Sequence, residues 1–415
     1  MTFNSKLHML LRRSHTALHY GRKNGVGALM ALIMQKLRNN RGGLLAKTRV
    51  IDHYDFVHNR PVGSPIVPGS VSRTTINWVV PPFGYGSGGH LNIFRFVQFL
   101  EKEGFDCRIV VVGEPQPLSA DQARKQINDW FFQLRSKVYL GIESVPPAHI
   151  TIATSWHTAY YVRRFQSTVH RCYFVQDYEP YFYAAGAEYA WAEETYRFGF
   201  FGITAGTWLK DKLAAEFGMR TEAFGFSFDR HLYAPRKRKE PKLRRIFFYA
   251  RPPTQRRAFE MGLLVLDEVT RRLPDVKVVF AGWDISNYHI PFAHQNAGTL
   301  SLDELPDLYS QCDVALVLSF TNLSLLPLEL MACGTPVVSN RALCTEWLLH
   351  DSNTRLAAPT VETLADALLS VLENPAEAER LRQAGFATAA ATNWQVEARK
   401  VGDILRSLDS LESVI

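Results

Sequence analysis

Twice along this chain, strongly apolar strands alternate with helical stretches, and that double alternation limits the fold more than any other feature. The first series runs through Thr74–Val80 ("TTINWVV"), Cys107–Val112 ("CRIVVV"), His149–Trp156 ("HITIATSW"), Arg171–Asp177 ("RCYFVQD") and "FGITAG", which ends at Gly206. The second runs through Arg245–Ala250, Val276–Gly282, Asp313–Ser319 and Thr335–Asn340, with helical stretches near 257–272, 302–311, 325–332 and 361–373. A continuous run such as Val314-Ala-Leu-Val-Leu318 is expected of a parallel strand buried on both faces. Strand–helix alternation then predicts an α/β chain: two Rossmann-like doubly wound domains facing one another, with a cleft where the carboxyl ends of both sheets meet.

A chain of 415 residues exceeds one ordinary core, so two domains of about 150–200 residues are expected. The reading is an arm and linker over 1–70, a first domain over 71–234, a basic linker over 235–245, a second domain over 246–393, and a terminal helix over 394–415 that could return to the first domain. The five cysteines are scattered through apolar patterns with neither metal spacing nor a disulfide framework, which is buried-thiol usage in a reducing compartment.

The net charge of +7 is uneven. Residues 1–50 hold ten Lys or Arg and no Asp or Glu, so the remainder is slightly acidic. Within this arm "GVGALMALIM" (Gly25–Met34) is followed by Gln35-Lys36 where a signal peptide would need small residues. A basic amphipathic helix is expected instead, either packed on its own domain or lying against an anionic membrane surface. The run "PRKRKEPKLRR" (Pro235–Arg245) reads as an exposed linker, since no aromatic interleaving or nucleic-acid motif accompanies its charge.

Three loops carry candidate chemistry. "GYGSGGH" follows the first strand and opens a helix, so Gly88 and Gly89 allow a phosphate close to the backbone, although a tight turn alone would also use them. Arg251 directly follows a strand of the second domain and Arg257 stands six residues later, where a guanidinium pair can neutralise a diphosphate. In "SFTNLSLLPLELMACGTPVVSN" a small polar loop (Thr321, Asn322, Leu323, Ser324) leads through Leu325 and Leu326 into a short helix whose one acid is Glu329. On the first domain "QDYEPYFYAAG" joins Asp177, Tyr178 and Glu179 to further aromatics, a composition suited to binding sugar hydroxyls and faces, and His157 stands at another strand end. Asp177 could equally cap a turn, and the tyrosines could be core.

These residues together resemble the GT-B glycosyltransferases of the large retaining family four. The most specific match is to that family's E-A-x-A-C-G-x-P-V-V, met at Glu329, Ala332, Cys333, Gly334, Pro336, Val337 and Val338. "ATSWHTAYYV" and "YFVQDYEPYFYAAG" further resemble the bacterial S-layer glycan β-1,2-rhamnosyltransferases, which use dTDP-β-L-rhamnose. One departure stands out: the family's E-x7-E pair has Thr321 in place of its first glutamate.

The resemblance implies a cytoplasmic enzyme that moves L-rhamnose from dTDP-β-L-rhamnose to a polysaccharide acceptor, with retention and with no metal or other cofactor. Arg251, Arg257 and the Leu323–Leu326 amides would take up the charge of the leaving diphosphate. Glu329 would hold the ribose hydroxyls, and Thr321 and Asn322 would touch the sugar. His157, Asp177, Tyr178 and Glu179 would serve the acceptor. Partners would be the nucleotide sugar, a glycan acceptor carried on lipid, and the membrane surface through the arm; nucleic acid is not expected. The open alternatives are a UDP- or GDP-linked donor and an idle glycan-binding scaffold.

Overall fold

A computed structural model describes Met30, residues 49–117 and residues 119–412. Most of the basic arm, and the amphipathic helix expected there, lie outside the described residues.

Two all-parallel sheets form the molecule. The first contains β1 (Thr75–Val80), β2 (Asp106–Val111), β3 (Lys137–Leu140), β4 (Ala148–Ala153), β5 (Thr168–Val175), β6 (Phe201–Ala205) and β7 (Thr221–Phe224), in the order β3-β2-β1-β4-β5-β6-β7. The second contains β8 (Arg245–Tyr249), β9 (Lys277–Ala281), β10 (His294–Gly298), β11 (Val314–Val317), β12 (Val337–Asn340) and β13 (Arg355–Ala357), in the order β10-β9-β8-β11-β12-β13.

The winding direction reverses between β1 and β4 and again between β8 and β11. A doubly wound sheet opens a crevice at such a reversal, beyond the carboxyl ends of the strands. The glycine loop leaves β1, the arginine segment leaves β8 and the Thr321–Ser324 loop leaves β11, so chain order alone delivers these loops to the two reversals.

The strands hold position because both faces are covered. All residues of β1, β4 and β11 are buried, and Trp78 packs on Phe174 at 5.5 Å between ring centres. Full burial of one large apolar side chain contributes about 1.5–3 kcal/mol. All five cysteine side chains are buried within these layers.

The last helix, Trp394–Glu412, lies on the first domain. Trp394 meets Phe96 at 5.9 Å, Glu397 accepts from the Gly225 amide at 2.6 Å, and Arg406 pairs with Glu103 at 3.2 Å. Residues 50–57, grouped by composition with the arm, also pack on that domain: Phe56 stacks on Tyr161 at 5.7 Å and Tyr54 donates to Glu188 at 3.0 Å. In the basic linker, Arg238 pairs with Asp313, Lys239 with Asp307 and Arg244 with Asp275. Three of its seven basic residues are thus answered by carboxylates of the second domain, and Arg245 by Glu240 within the linker. Among the described residues no helix is long and apolar enough to cross a membrane.

Candidate functional site

The cleft is bridged by Asp177 of the first domain and by Thr321, Asn322 and Arg256 of the second. Asp177 follows β5, and its carboxylate accepts from the Asn322 amide at 2.8 Å and the Thr321 hydroxyl at 3.1 Å. Asn322 follows β11; its side-chain amide donates to the carbonyls of Gln176 (3.0 Å) and Ala205 (2.7 Å) and accepts from Trp347 Nε1 (2.9 Å). Gln176 in turn donates to the Gly89 carbonyl at 3.2 Å. A single polar network therefore joins the glycine loop, the β5 and β6 ends and the β11 loop. Each partner comes from the carboxyl edge of a parallel sheet, where unpaired backbone groups need side-chain partners.

The arginine segment closes the other side. Arg257 donates to Ser319 Oγ at 2.6 Å and to the Asn322 carbonyl at 3.2 Å, and Ser319 is itself fixed by Asn340. Burial lowers the Arg257 pKa from its ordinary value. Ala258 adopts a left-handed backbone (φ 48°) just after Arg257, a conformation that costs an L-residue about 1–2 kcal/mol. Such strain is found where the surrounding structure fixes a functional side chain. Arg256 lies over the Phe182 ring at 3.8 Å and approaches Asp177 at 3.4 Å. Arg251 donates to the Tyr249 hydroxyl at 3.2 Å. Tyr249, Arg257, Ser324 and Leu326 line a narrow crevice at the ends of β8 and β11.

Glu329 stands in the short helix Leu326–Ala332, beyond the reach of this network. It is half-buried. Burial pushes its pKa up to about 7, with the Tyr233 hydroxyl and the Arg95 guanidinium pulling the other way. The Tyr233 hydroxyl is near enough to act on this charge but makes no hydrogen bond of good geometry. Gly334 ends the segment with φ 80°, and a Cβ there would stand 2.9 Å from Phe386, which accounts for glycine in the Gly-Thr-Pro sequence.

Of the residues singled out by sequence, Gly89, Asp177, Arg257, Thr321 and Asn322 meet in one network. Gly88 opens the helix Gly88–Lys102 beside it, and Ser324 accepts from the Leu326 amide at 3.4 Å. Leu323 and Leu326 are buried, and Leu325 precedes the helix.

Three of the acceptor candidates lie elsewhere. Glu179 sits inside the first domain, where its carboxylate accepts from the Trp156 amide (2.7 Å) and the Tyr173 hydroxyl (3.2 Å); burial pushes its pKa up to about 8. Tyr178 is buried, with Lys212 over its ring at 4.4 Å. His157 packs on Trp156 and Phe56, and burial pushes its pKa down to about 4.

Gln176, Arg256, Ser319 and Trp347 escaped the sequence reading. Arg256 adjoins a singled-out arginine, so spacing alone favoured its neighbour, and Trp347 carries no local signal because its partner Asn322 is a distant loop residue.

Residues 85–204 match the WsaF N-terminal domain and residues 244–369 match the WsaF C-terminal domain, together more than half of the chain. The O-antigen biosynthesis protein RfbC of Myxococcus xanthus is 36% identical over 337 residues, covering 79% of this chain but 26% of that protein. This chain thus spans about a quarter of that relative's length.

Among solved structures, Anabaena HepE in complex with UDP and glucose superposes with a TM-score of 0.63 at 13% identity, covering 80% of this chain and 100% of that one. Sucrose-phosphate synthase from Thermosynechococcus elongatus gives a TM-score of 0.61 at 14% identity, covering 81% and 99%. Matched through both of the domains that build its cleft, the chain belongs to the WsaF family and carries the fold of the GT-B glycosyltransferases.

Proposed function

We propose that this cleft transfers L-rhamnose from dTDP-β-L-rhamnose to a glycan acceptor during assembly of a cell-envelope polysaccharide. The observation that carries the reading is Arg257. It is a half-buried guanidinium whose hydrogen-bond partners, Ser319 Oγ and the Asn322 carbonyl, are both uncharged. Among the described residues no carboxylate lies within ion-pair distance of it. Burial lowers its pKa in spite of the nearby Asp177 charge, so an arriving anion would stabilise it, and a nucleotide-sugar diphosphate is an anion of suitable size and charge. The RfbC relative supports the polysaccharide setting, and HepE with UDP and glucose supports a nucleotide sugar in this fold.

In the proposed reaction the bond from sugar C1 to the diphosphate oxygen breaks as the acceptor oxygen bonds to C1 on the same face. The acceptor proton passes to the departing diphosphate. Arg251 and Arg257 spread the charge that develops on that leaving group, and one preorganised contact of this kind is worth about 3 kcal/mol. Thr321 stands where the related family carries a glutamate; it is buried, and its hydroxyl donates to the Asp177 carboxylate from the opposite domain. A sugar without a 6-hydroxyl suits that smaller polar complement. Phe182, under the Arg256 guanidinium, and Phe320, whose amide donates to the Arg256 carbonyl at 3.0 Å, keep part of their rings exposed and offer faces for an acceptor sugar.

A thermal-shift comparison of dTDP-rhamnose, dTDP, UDP- and GDP-linked sugars tests the reading. At 100 times its dissociation constant a ligand adds about 2.7 kcal/mol to native stability. Stabilisation by the dTDP ligands alone is expected; stabilisation by UDP- or GDP-sugars instead would reassign the donor, and by none of them would favour an idle scaffold.

A further inference from the structure

Remote from the cleft, three potential metal ligands converge. His149 is the second residue of β4, His170 the third of β5, and Asp409 comes from the last helix, more than 200 residues later. Asp409 Oδ1 lies 2.8 Å from His170 Nε2 and 3.2 Å from His149 Nε2. The ligand atoms of the three groups all lie within 4.8 Å of one another. The two rings meet edge to face, with centres 4.8 Å apart and planes at 82°, so both can aim a nitrogen at one point. Both imidazoles are buried, whereas the Asp409 side chain is 30% exposed.

We propose that His149, His170 and Asp409 form a binding site for one divalent transition-metal ion, of the size and ligand type of zinc, which fastens the terminal helix to the first domain. Zinc bonds of about 2.0–2.2 Å to nitrogen and oxygen in a tetrahedron separate neighbouring ligand atoms by about 3.3 Å. The two separations from Asp409, 2.8 and 3.2 Å, would open slightly to admit the ion, and the two imidazole nitrogens, which lie within 4.8 Å, would close toward it. Water entering from the exposed side of Asp409 would complete the tetrahedron.

The second carboxylate oxygen is already held by Arg73 at 3.0 Å, as outer partners hold a ligating carboxylate. The His149 amide donates to Thr75 Oγ1 at 2.9 Å, which fixes that residue's backbone at the strand edge. Two imidazoles and one carboxylate, with no thiolate, make a donor set that zinc accepts. The terminal helix follows both domains in the chain, so an ion there would act as a brace and not in the chemistry of the cleft.

The test uses the full chain, stripped with chelator and then given zinc or cobalt. The account predicts one tightly held zinc per chain by elemental analysis, a higher melting temperature with zinc, and a cobalt spectrum of tetrahedral nitrogen and oxygen ligation without thiolate charge-transfer bands. Asp409→Asn and His170→Gln should each weaken zinc binding by about tenfold or more, while circular dichroism reports whether each variant still folds. Failure of the stripped wild type to take up zinc or gain stability would overturn the proposal. So would equal binding by folded Asp409→Asn, or a thiolate-type cobalt spectrum. If neither variant folds, the wild-type cobalt spectrum decides.

Discussion

The carboxylate of Asp177, beyond the end of β5, accepts the backbone amide of Asn322, beyond the end of β11, at 2.8 Å. These residues belong to different sheets, so the bond fixes how the two halves of the cleft face each other, next to the guanidinium of Arg257. A buried amide that loses its acceptor costs about 1–3 kcal/mol. Asp177→Ala should therefore loosen the closed arrangement, detectable as a larger radius of gyration in solution scattering, and lower turnover. A variant with unchanged scattering and unchanged turnover would show that the latch has no part in either.

Gly206 supports the same contact from below. Its φ is 85°, and a Cβ there would stand 2.6 Å from Trp347 Cε2, the indole that holds Asn322. Gly206→Ala should destabilise the protein by about 1–3 kcal/mol in urea unfolding, from overpacking and left-handed strain together. Adding Trp347→Ala should recover part of that loss. Simple additivity of the two changes would refute the steric account.

The interior of both sheets was legible in the sequence, and the edges were not. The apolar runs located β1, β2, β4, β5 and β6, and then β8, β9, β11 and β12. The strands without such a signal are β3, β7, β10 and β13, and these are the four sheet edges. An edge strand is covered less completely, as in His294–Gly298, where no residue is buried, and so carries no continuous apolar run. The site divides in the same way. Residues in strand-end loops with local motifs, such as Arg257 and Asn322, stood out, whereas Trp347 and Gln176 matter only through contacts across the chain. Glu179 was misleading because a carboxylate among aromatics suits an interior helix-start partner as well as a sugar.

Glu329 makes stability depend on pH. Its folded pKa of about 7 exceeds its ordinary 4.5. A raised carboxyl pKa gives a contribution fully present below about pH 4.5 and lost as pH rises through about 7. Glu329→Gln removes that loss, so the variant without ligand should gain on wild type by on the order of 1–3 kcal/mol between about pH 5 and about pH 8. Donor affinity should behave oppositely: in wild type it rises through about pH 7 as an ionised acceptor for ribose hydroxyls forms, and in the variant it is weaker and flat. Parallel pH profiles for the two proteins would remove Glu329 from the donor site.

The basic arm gives a fourth prediction. Each Lys or Arg near an anionic surface contributes about 1 kcal/mol, and about 1 M salt shortens the Debye length to about 3 Å. Full-length protein should sediment with anionic vesicles at low salt and release at high salt. The truncated control should begin at Arg49 and not later, because Phe56 covers Trp156 and Tyr160. Equal vesicle binding by both chains would show that the arm is not the anchor.

The most direct test of glycosyl transfer is proton NMR of a reaction containing dTDP-β-L-rhamnose and a short glycan acceptor, run with wild type and with Arg257→Ala. The account predicts that wild type releases dTDP and forms a rhamnoside with the donor's anomeric configuration. Arg257→Ala should be slower by about 100-fold, the loss of roughly 3 kcal/mol of charge stabilisation. An intact dTDP-β-L-rhamnose signal with wild type, alongside consumption of a UDP- or GDP-linked sugar, would contradict it.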